Sequence, residues 1–227
     1  MARIFSLLAA LVISSAALGA SLSDLSNRDV VAALKEALNK SSQAAVARLG
    51  VENGFFGDER VRIPLPDSLK RAERVMRSLG MGKQADDLVL RMNRAAEAAV
   101  PEAKTLLIGA VKKMSIGDAK SILTGGDDAA TQYFKRTTSE PLAEKFLPIV
   151  QDAMSKVKLA EAYDQFAERG RRFGLVRDED TNLERYITRK ALDGLFLVMA
   201  EEEKKIRQDP VGTASSIIKK VFGALLQ

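Results

Sequence analysis

KQADDLVLRMNRAAEAAV, residues 83–100, decides the class of the fold. On a helical wheel with Leu88 at zero, Leu88, Met92, Ala95 and Ala99 lie within about forty degrees of one line. Val89, Ala96 and Val100 widen that face. Asp87, Arg91 and Arg94 fall on the solvent side, where Asp87 and Arg91 have the i,i+4 spacing of an ion pair. Asp86, Asn93 and Glu97 gather with Leu90 on the remaining edge. The stretch therefore predicts an amphipathic helix with one buried stripe.

The same period recurs on both sides of it. Ser26 and Asp29 make a capping-box-like start to a helix from Asn27 to Leu49, ended by Gly50, with a stripe of Val30, Val31, Leu34, Leu38, Ala45, Val46 and Leu49. Asn53-Gly54 is a turn signal, and GFFGDERVRIPLP (54–66) cannot continue a helix. Val61 and Ile63 alternate with charged neighbours there, which predicts a short hairpin or extended arm. A helix from Asp67 to Leu79 follows, closed by Gly80 and Gly82. The next runs from Lys83 to Ala99, with a kink or fresh start at Pro101 leading to Met114.

Ser115 and Asp118 cap a short helix to Leu123, and Gly125-Gly126-Asp127-Asp128 breaks the chain before a helix to Arg136. Ser139-Glu140-Pro141 starts another, kinked or restarted at Pro148 and ending near Gly170. Thr181 and Glu184 form a capping box for a helix to Gln208. Asp209-Pro210 breaks it, and Thr213 to Leu226 makes the last. The expectation is a single all-α domain over 21–227, a bundle of about eight helices with one extended arm.

The first twenty residues read differently. Arg3 gives a positive start, Ile4 to Ile13 runs almost wholly apolar, and Ala16-Ala17-Leu18-Gly19-Ala20 ends in small residues. That is the layout of a secretory signal peptide, cleaved after Gly19 or Ala20. The run is marginally short for a membrane anchor, which needs about 20 residues. The expected location is the periplasm or the exterior.

Composition narrows the chemistry. The chain has no cysteine, no histidine and no tryptophan, and its formal net charge is +5. Without disulfides, stability must come from burial. Ser-His-Asp and Cys-His catalysis and His- or Cys-based metal sites are excluded, so no cofactor or metal is expected. The charges look well mixed along the sequence, which argues against a nucleic-acid partner and leaves room for weak contact with anionic membranes.

Five segments carry a resemblance: GFFGDERVRIPLP (54–66), LRMNRAAEAAVPEAK (90–104), ILTGGDDAATQYFKRTTSEPL (122–142), TRKALDGLF (188–196) and IRQDP (206–210). Together they resemble a bacterial family classed as domain of unknown function 4197, across essentially the whole chain after the first twenty residues. The resemblance implies an exported, mostly helical protein and assigns no catalytic residue.

Several constellations are candidates for chemistry. Asp86, Asn93 and Glu97 form a polar edge that either lines a pocket or hydrogen-bonds neighbouring loops. Asp193 is the only charge in ALDGLFLVMA (191–200), which suggests a buried carboxylate in need of a partner, with Arg189 at i−4, Lys190 at i−3 and Tyr186 at i−7. Gly194 beside it suggests close approach of another backbone. These five, Asp86, Asn93, Glu97, Arg189 and Asp193, are the candidate ligand-binding residues.

Other features are weaker. The Gly125–Asp128 turn lacks the Walker spacing and reads as a helix cap. Asp178 to Arg189 lacks the glycine and glutamate that an EF-hand requires. Tyr133-Phe134-Lys135-Arg136 sets aromatics beside bases, as anion-binding surfaces do. Phe55-Phe56 is an exposed contact or a plug on the core. The last helix is amphipathic, with Ile217, Ile218, Val221, Phe222, Leu225 and Leu226 opposite Lys219 and Lys220, as in helices that lie on membranes.

The function expected is a non-enzymatic module of the cell envelope that binds a small molecule or an envelope protein. The alternatives are a hydrolase of envelope polymers using a carboxylate pair such as Glu97 and Asp193, and a peripheral membrane protein attached through its last helix.

Overall fold

The computed structural model describes residues 25–115, 117, 119–175 and 182–226. The N-terminal apolar run, Asp118, and the acidic residues 178–180 with Thr181 lie outside the described residues. Among the described residues the chain forms eight helices and no strand: α1 (Asn27–Leu49), α2 (Asp67–Ser78), α3 (Lys83–Lys113), α4 (Ala119–Leu123), α5 (Ala129–Lys156), α6 (Leu159–Arg172), α7 (Leu183–Gln208) and α8 (Ser216–Gly223). None of them is long and apolar enough to cross a membrane.

The four long helices form a closed ring of neighbours, α1 against α7, α7 against α5, α5 against α3 and α3 against α1. Their apolar stripes meet in one core that includes Leu34, Leu38, Leu88, Met92, Phe134, Phe146, Leu195 and Met199. The short helices pack outside this ring: α6 on α3, α8 and α4 on α1, and α2 beside α6.

Local signals hold at α1. The Ser26 hydroxyl accepts the Asp29 N–H at 3.0 Å, and Gly50 closes the helix. Pro101 lies inside α3, so where a kink or a fresh start was expected there is no fresh start and the helix is continuous. A Cβ at Gly50 would come within 2.8 Å of the Pro101 ring, so the proline packs on the end of α1.

The expected course of the chain from 129 to 172 is corrected. α5 runs unbroken from Ala129 to Lys156, where a fresh start was expected at Ser139–Pro141 and a kink or restart at Pro148. A proline removes one backbone hydrogen bond and costs about 3 kcal/mol in a helix interior. Burial of Phe134, Leu142, Phe146 and Val150 outweighs that here. The break instead falls at Lys158, whose φ of 54° is left-handed, while Arg91 donates to the Val157 carbonyl at 2.7 Å. α7 is capped by Asn182, whose side chain accepts the Arg185 N–H at 2.9 Å; the expected Thr181 box lies outside the described residues.

The arm at 54–66 forms a series of tight turns and an extended stretch rather than a hairpin. Asn53 sits at φ 66°, as the Asn-Gly turn requires. Phe55 is the plug: its ring is fully buried, and a Cβ at Gly194 would lie 2.7 Å from it. The close approach expected at Gly194 is therefore that of a side chain, not a backbone. The C-terminal helix is shorter than Thr213–Leu226, and its apolar residues Ile218, Val221 and Phe222 are fully buried as it docks on α1. That face is not free for a membrane.

Candidate functional site

The polar edge of α3 holds the arm. Asn93 is fully buried, and its side-chain amide stands where a neighbouring strand would. The Oδ1 atom accepts the Ile63 N–H at 2.8 Å, and Nδ2 donates to the carbonyls of Ile63 at 2.9 Å and Val89 at 2.8 Å. One turn on, Glu97 accepts the N–H groups of Phe55 and Phe56, both at 3.0 Å, and pairs with Arg94 at 2.5 Å. The two residues satisfy buried backbone groups that the irregular arm leaves without partners.

The other candidate residues lie elsewhere. Asp86 is exposed and pairs with Arg77 at 2.6 Å. Asp193, expected to be buried beside Arg189, is 54% exposed and pairs with Lys135 of α5 at 2.9 Å. Arg189 is exposed in a crevice of about 150 Å³ with Glu140, Glu144 and Arg185. The five residues are thus not gathered around one cleft. Glu97 and Asp193 are both ion-paired, one buried and one in solvent, so this pair does not supply the two free acids of a glycosidase-like site.

A second buried carboxylate was not legible as such. Glu203 is fully buried on α7 and accepts the N–H of Ala130 at 3.0 Å, the N–H of Thr131 at 2.7 Å and the Thr131 hydroxyl at 2.7 Å. It caps the N-terminus of α5 from another helix, where a negative charge is favoured. Asp128 stands at the N-cap of α5 as expected, but its side chain makes no cap hydrogen bond. Arg207 donates to Glu203 at 2.9 Å and to the carbonyls of Leu123 at 2.7 Å and Ile122 at 3.2 Å. It closes the C-terminus of α4 and lies over the Phe222 ring.

At the surface, Arg48 and Arg60 each bridge Asp58 and Glu201, at distances of 2.5–2.9 Å. Hydrogen bonds from Arg60 hold the Asp58 carboxyl far below its ordinary range. Tyr186 donates to the Pro64 carbonyl at 3.0 Å, and burial, helped by the nearby Asp67 charge, raises its phenol above its usual value.

A groove of about 610 Å³ lies between the second half of α3 and the middle of α5. Leu106, Ala110, Met114 and Leu142 give it apolar walls; Lys113, Lys145, Thr137 and Tyr133 add polar groups. Among the described residues no carboxylate lines it. Gly109 lies on its α3 wall, and a Cβ there would meet nothing within 4 Å. Pro141 on the α5 wall has no N–H for the Thr137 carbonyl.

Fold and site define an all-α protein built on a ring of four long helices, tied by buried polar side chains and carrying a cation-rimmed groove. A family model described as protein of unknown function (DUF4197) matches residues 24–223, and the chain belongs to that family, as its resembling segments implied. No curated protein and no solved structure matches it.

Proposed function

We propose that this protein is an exported, non-enzymatic binding module of the cell envelope that holds a small amphipathic anion in the α3/α5 groove. The supporting observation is Gly109. A glycine inside a helix costs about 1 kcal/mol relative to alanine, and no neighbouring atom requires it here. What it leaves is space in a groove whose volume is typical of small-molecule sites. The apolar walls suit a hydrophobic body, and Lys113 and Lys145 suit an anionic head. Export is supported by the charged, apolar and small-residue layout of residues 1–20.

The test uses 1-anilinonaphthalene-8-sulfonate as a fluorescent amphipathic anion. Binding is expected for the parent, weakened by Lys113→Gln with Lys145→Gln, and lost in Gly109→Leu, which fills the groove while improving helix propensity. An unchanged circular dichroism spectrum shows that the variants are folded. No binding by the parent, or equal binding by Gly109→Leu, refutes the groove. N-terminal sequencing of periplasmic material should begin at Ala20 or Ser21; recovery only as a cytoplasmic chain with Met1 intact refutes export.

A further inference from the structure

The positive charge that looks dispersed in sequence is concentrated on α2 and the end of α6, which adjoin. Helices α2 and α6 end alike. In α2, Arg77 lies in the last turn, Leu79 is the C-cap, Gly80 is left-handed at φ 73°, and the Met81 N–H returns to the Met76 carbonyl at 2.8 Å. In α6, Arg169, Arg171 and Arg172 fill the last turn and Phe173 is the C-cap. Gly174 is left-handed at φ 66°, and the Leu175 N–H returns to Gly170 at 3.0 Å. These are glycine-closed helix ends. Each packs the residue after the glycine, Met81 or Leu175, against the core. Each leaves the residue before it in solvent, Leu79 at 52% and Phe173 at 49% exposure. The two ends adjoin, with an Arg169 guanidinium nitrogen 4.0 Å from the Met81 sulfur.

Residues 68–83 carry Lys70, Arg71, Arg74, Arg77 and Lys83 against Glu73 alone. Residues 168–175 carry Arg169, Arg171 and Arg172 against Glu168. All eight cations are exposed. Their six net charges exceed the +5 of the whole chain. Counting Asp67 and Asp86, which pair with Lys70 and Arg77, and setting aside Arg171, which has an interaction of its own, still leaves three. The next charged residues in sequence, 177–180, lie outside the described residues. Two helix C-termini present about one negative charge between them, so compensating the helix dipoles does not account for the excess.

We propose that this corner docks on an anionic lipid bilayer, with the cations over the head groups and Leu79 and Phe173 entering the acyl boundary. A nucleic acid or other soluble polyanion would meet the cations and leave Leu79 in water. A bilayer takes both. This face is distinct from the α3/α5 groove and from the buried face of α8, so it stands or falls independently of the binding function proposed above.

Flotation with phosphatidylglycerol/phosphatidylethanolamine vesicles, against phosphatidylcholine vesicles, tests the proposal. Every variant carries the same N-terminal stretch as the parent, so differences read this face alone. Each cation near an anionic surface contributes about fivefold in partitioning. Arg74→Ser with Lys83→Ser and Arg169→Ser should therefore lower binding on the order of a hundredfold. Lys104→Ser with Lys120→Ser and Lys219→Ser, elsewhere on the surface, should lower it far less. Leu79→Ser with Phe173→Ser should weaken binding while leaving its salt dependence. The proposal is overturned by equal binding to neutral vesicles or by equal losses in the two lysine/arginine triples. It is also overturned if the Leu79/Phe173 variant binds vesicles as the parent does, or if double-stranded DNA binds both more tightly than vesicles do, which assigns the corner to a soluble polyanion.

Discussion

Replacing Glu203 with glutamine probes the tie between α7, α4 and α5. The carboxylate is fully buried and receives four donors: the Ala130 N–H and Arg207 on Oε1, the Thr131 N–H and hydroxyl on Oε2. Glutamine has one acceptor oxygen, and its NH₂ must point at donors whichever way it is flipped. The change also leaves Arg207, only 7% exposed, without its counter-ion. Breaking a buried pair by removing one partner costs about 3–5 kcal/mol, a large share of a typical total of about 5–15 kcal/mol. Urea unfolding followed by circular dichroism should show that loss with little change in slope. The melting temperature should fall by about 6–20 °C for a chain of this length. Glu201→Gln, in the exposed Arg48–Asp58–Arg60 network, should cost less than about 1 kcal/mol. Equal small losses in the two variants would refute the claim that Glu203 holds the end of α5.

The arm gives a second test: Asn93→Leu leaves the buried N–H and C=O of Ile63 without partners and should cost about 2–5 kcal/mol, measured by the same unfolding curves. Gly194→Ala should destabilise by about 1–3 kcal/mol through overpacking against the Phe55 ring, despite alanine's better helix propensity, and Phe55→Leu in the same chain should restore part of the loss; a stabilised Gly194→Ala would contradict the packing. On pH, the depressed carboxyl of Asp58 stabilises the fold fully above its unfolded value near 4, and that contribution is lost as pH falls through the folded value. Asp29 and Asp67, lowered by Lys220 and Lys70, act in the same direction. With no histidine to titrate between pH 5 and 8, the urea midpoint should stay nearly level across that range and decline below pH 4. Asp58→Asn should flatten the acid limb, and a midpoint that moves mainly between pH 6 and 8 would contradict this account.

How far the sequence could be read depended on whether local or distant groups decide each feature. The helical class and the ends of α1 were legible because periodicity and a Ser cap act within a few residues. The α3 edge was legible as a polar stripe, with loop contacts among its expected roles, but not which atoms of the arm it would hold. The prolines of α5 misled because their local cost is visible and the burial of Phe134, Leu142 and Phe146 that outweighs it is not. The break at Lys158 carries no glycine; Arg91, far off in sequence, caps it. Asp193 looked buried because apolar residues surround it in sequence. Arg189, Asp193, Leu197 and Glu201 nonetheless recur every four residues along one side of α7, and Leu197 is itself 40% exposed. Glu203 and Arg207 hid in a charged run that reads as solvated surface. The discoverable signal was that Glu203 continues the buried row of Leu192, Leu195 and Met199.

The same distant contacts explain how a cysteine-free chain keeps its irregular parts in place. Disulfides act largely by restricting the unfolded chain; the ties here exist only in the folded one. Asn93 and Glu97 bind the arm across 30 and 42 residues, Arg91 reaches Val157 across 66, and Glu203 and Arg207 reach the α4–α5 junction across 73 and 84. Buried polar ties add little net energy over apolar packing, and leaving one half-made is expensive, so their effect is to select one arrangement of the arm and helix ends. Both ends of α5 are fixed in this way, one by Glu203 and the other by Arg91. The groove lies between those fixed ends, where Gly109 leaves open space instead of completing the packing. A binding surface needs rigid elements beneath it, and the fixed ends of α5 supply one. The buried acids are already satisfied by their own partners, so the groove is the place to look for a ligand.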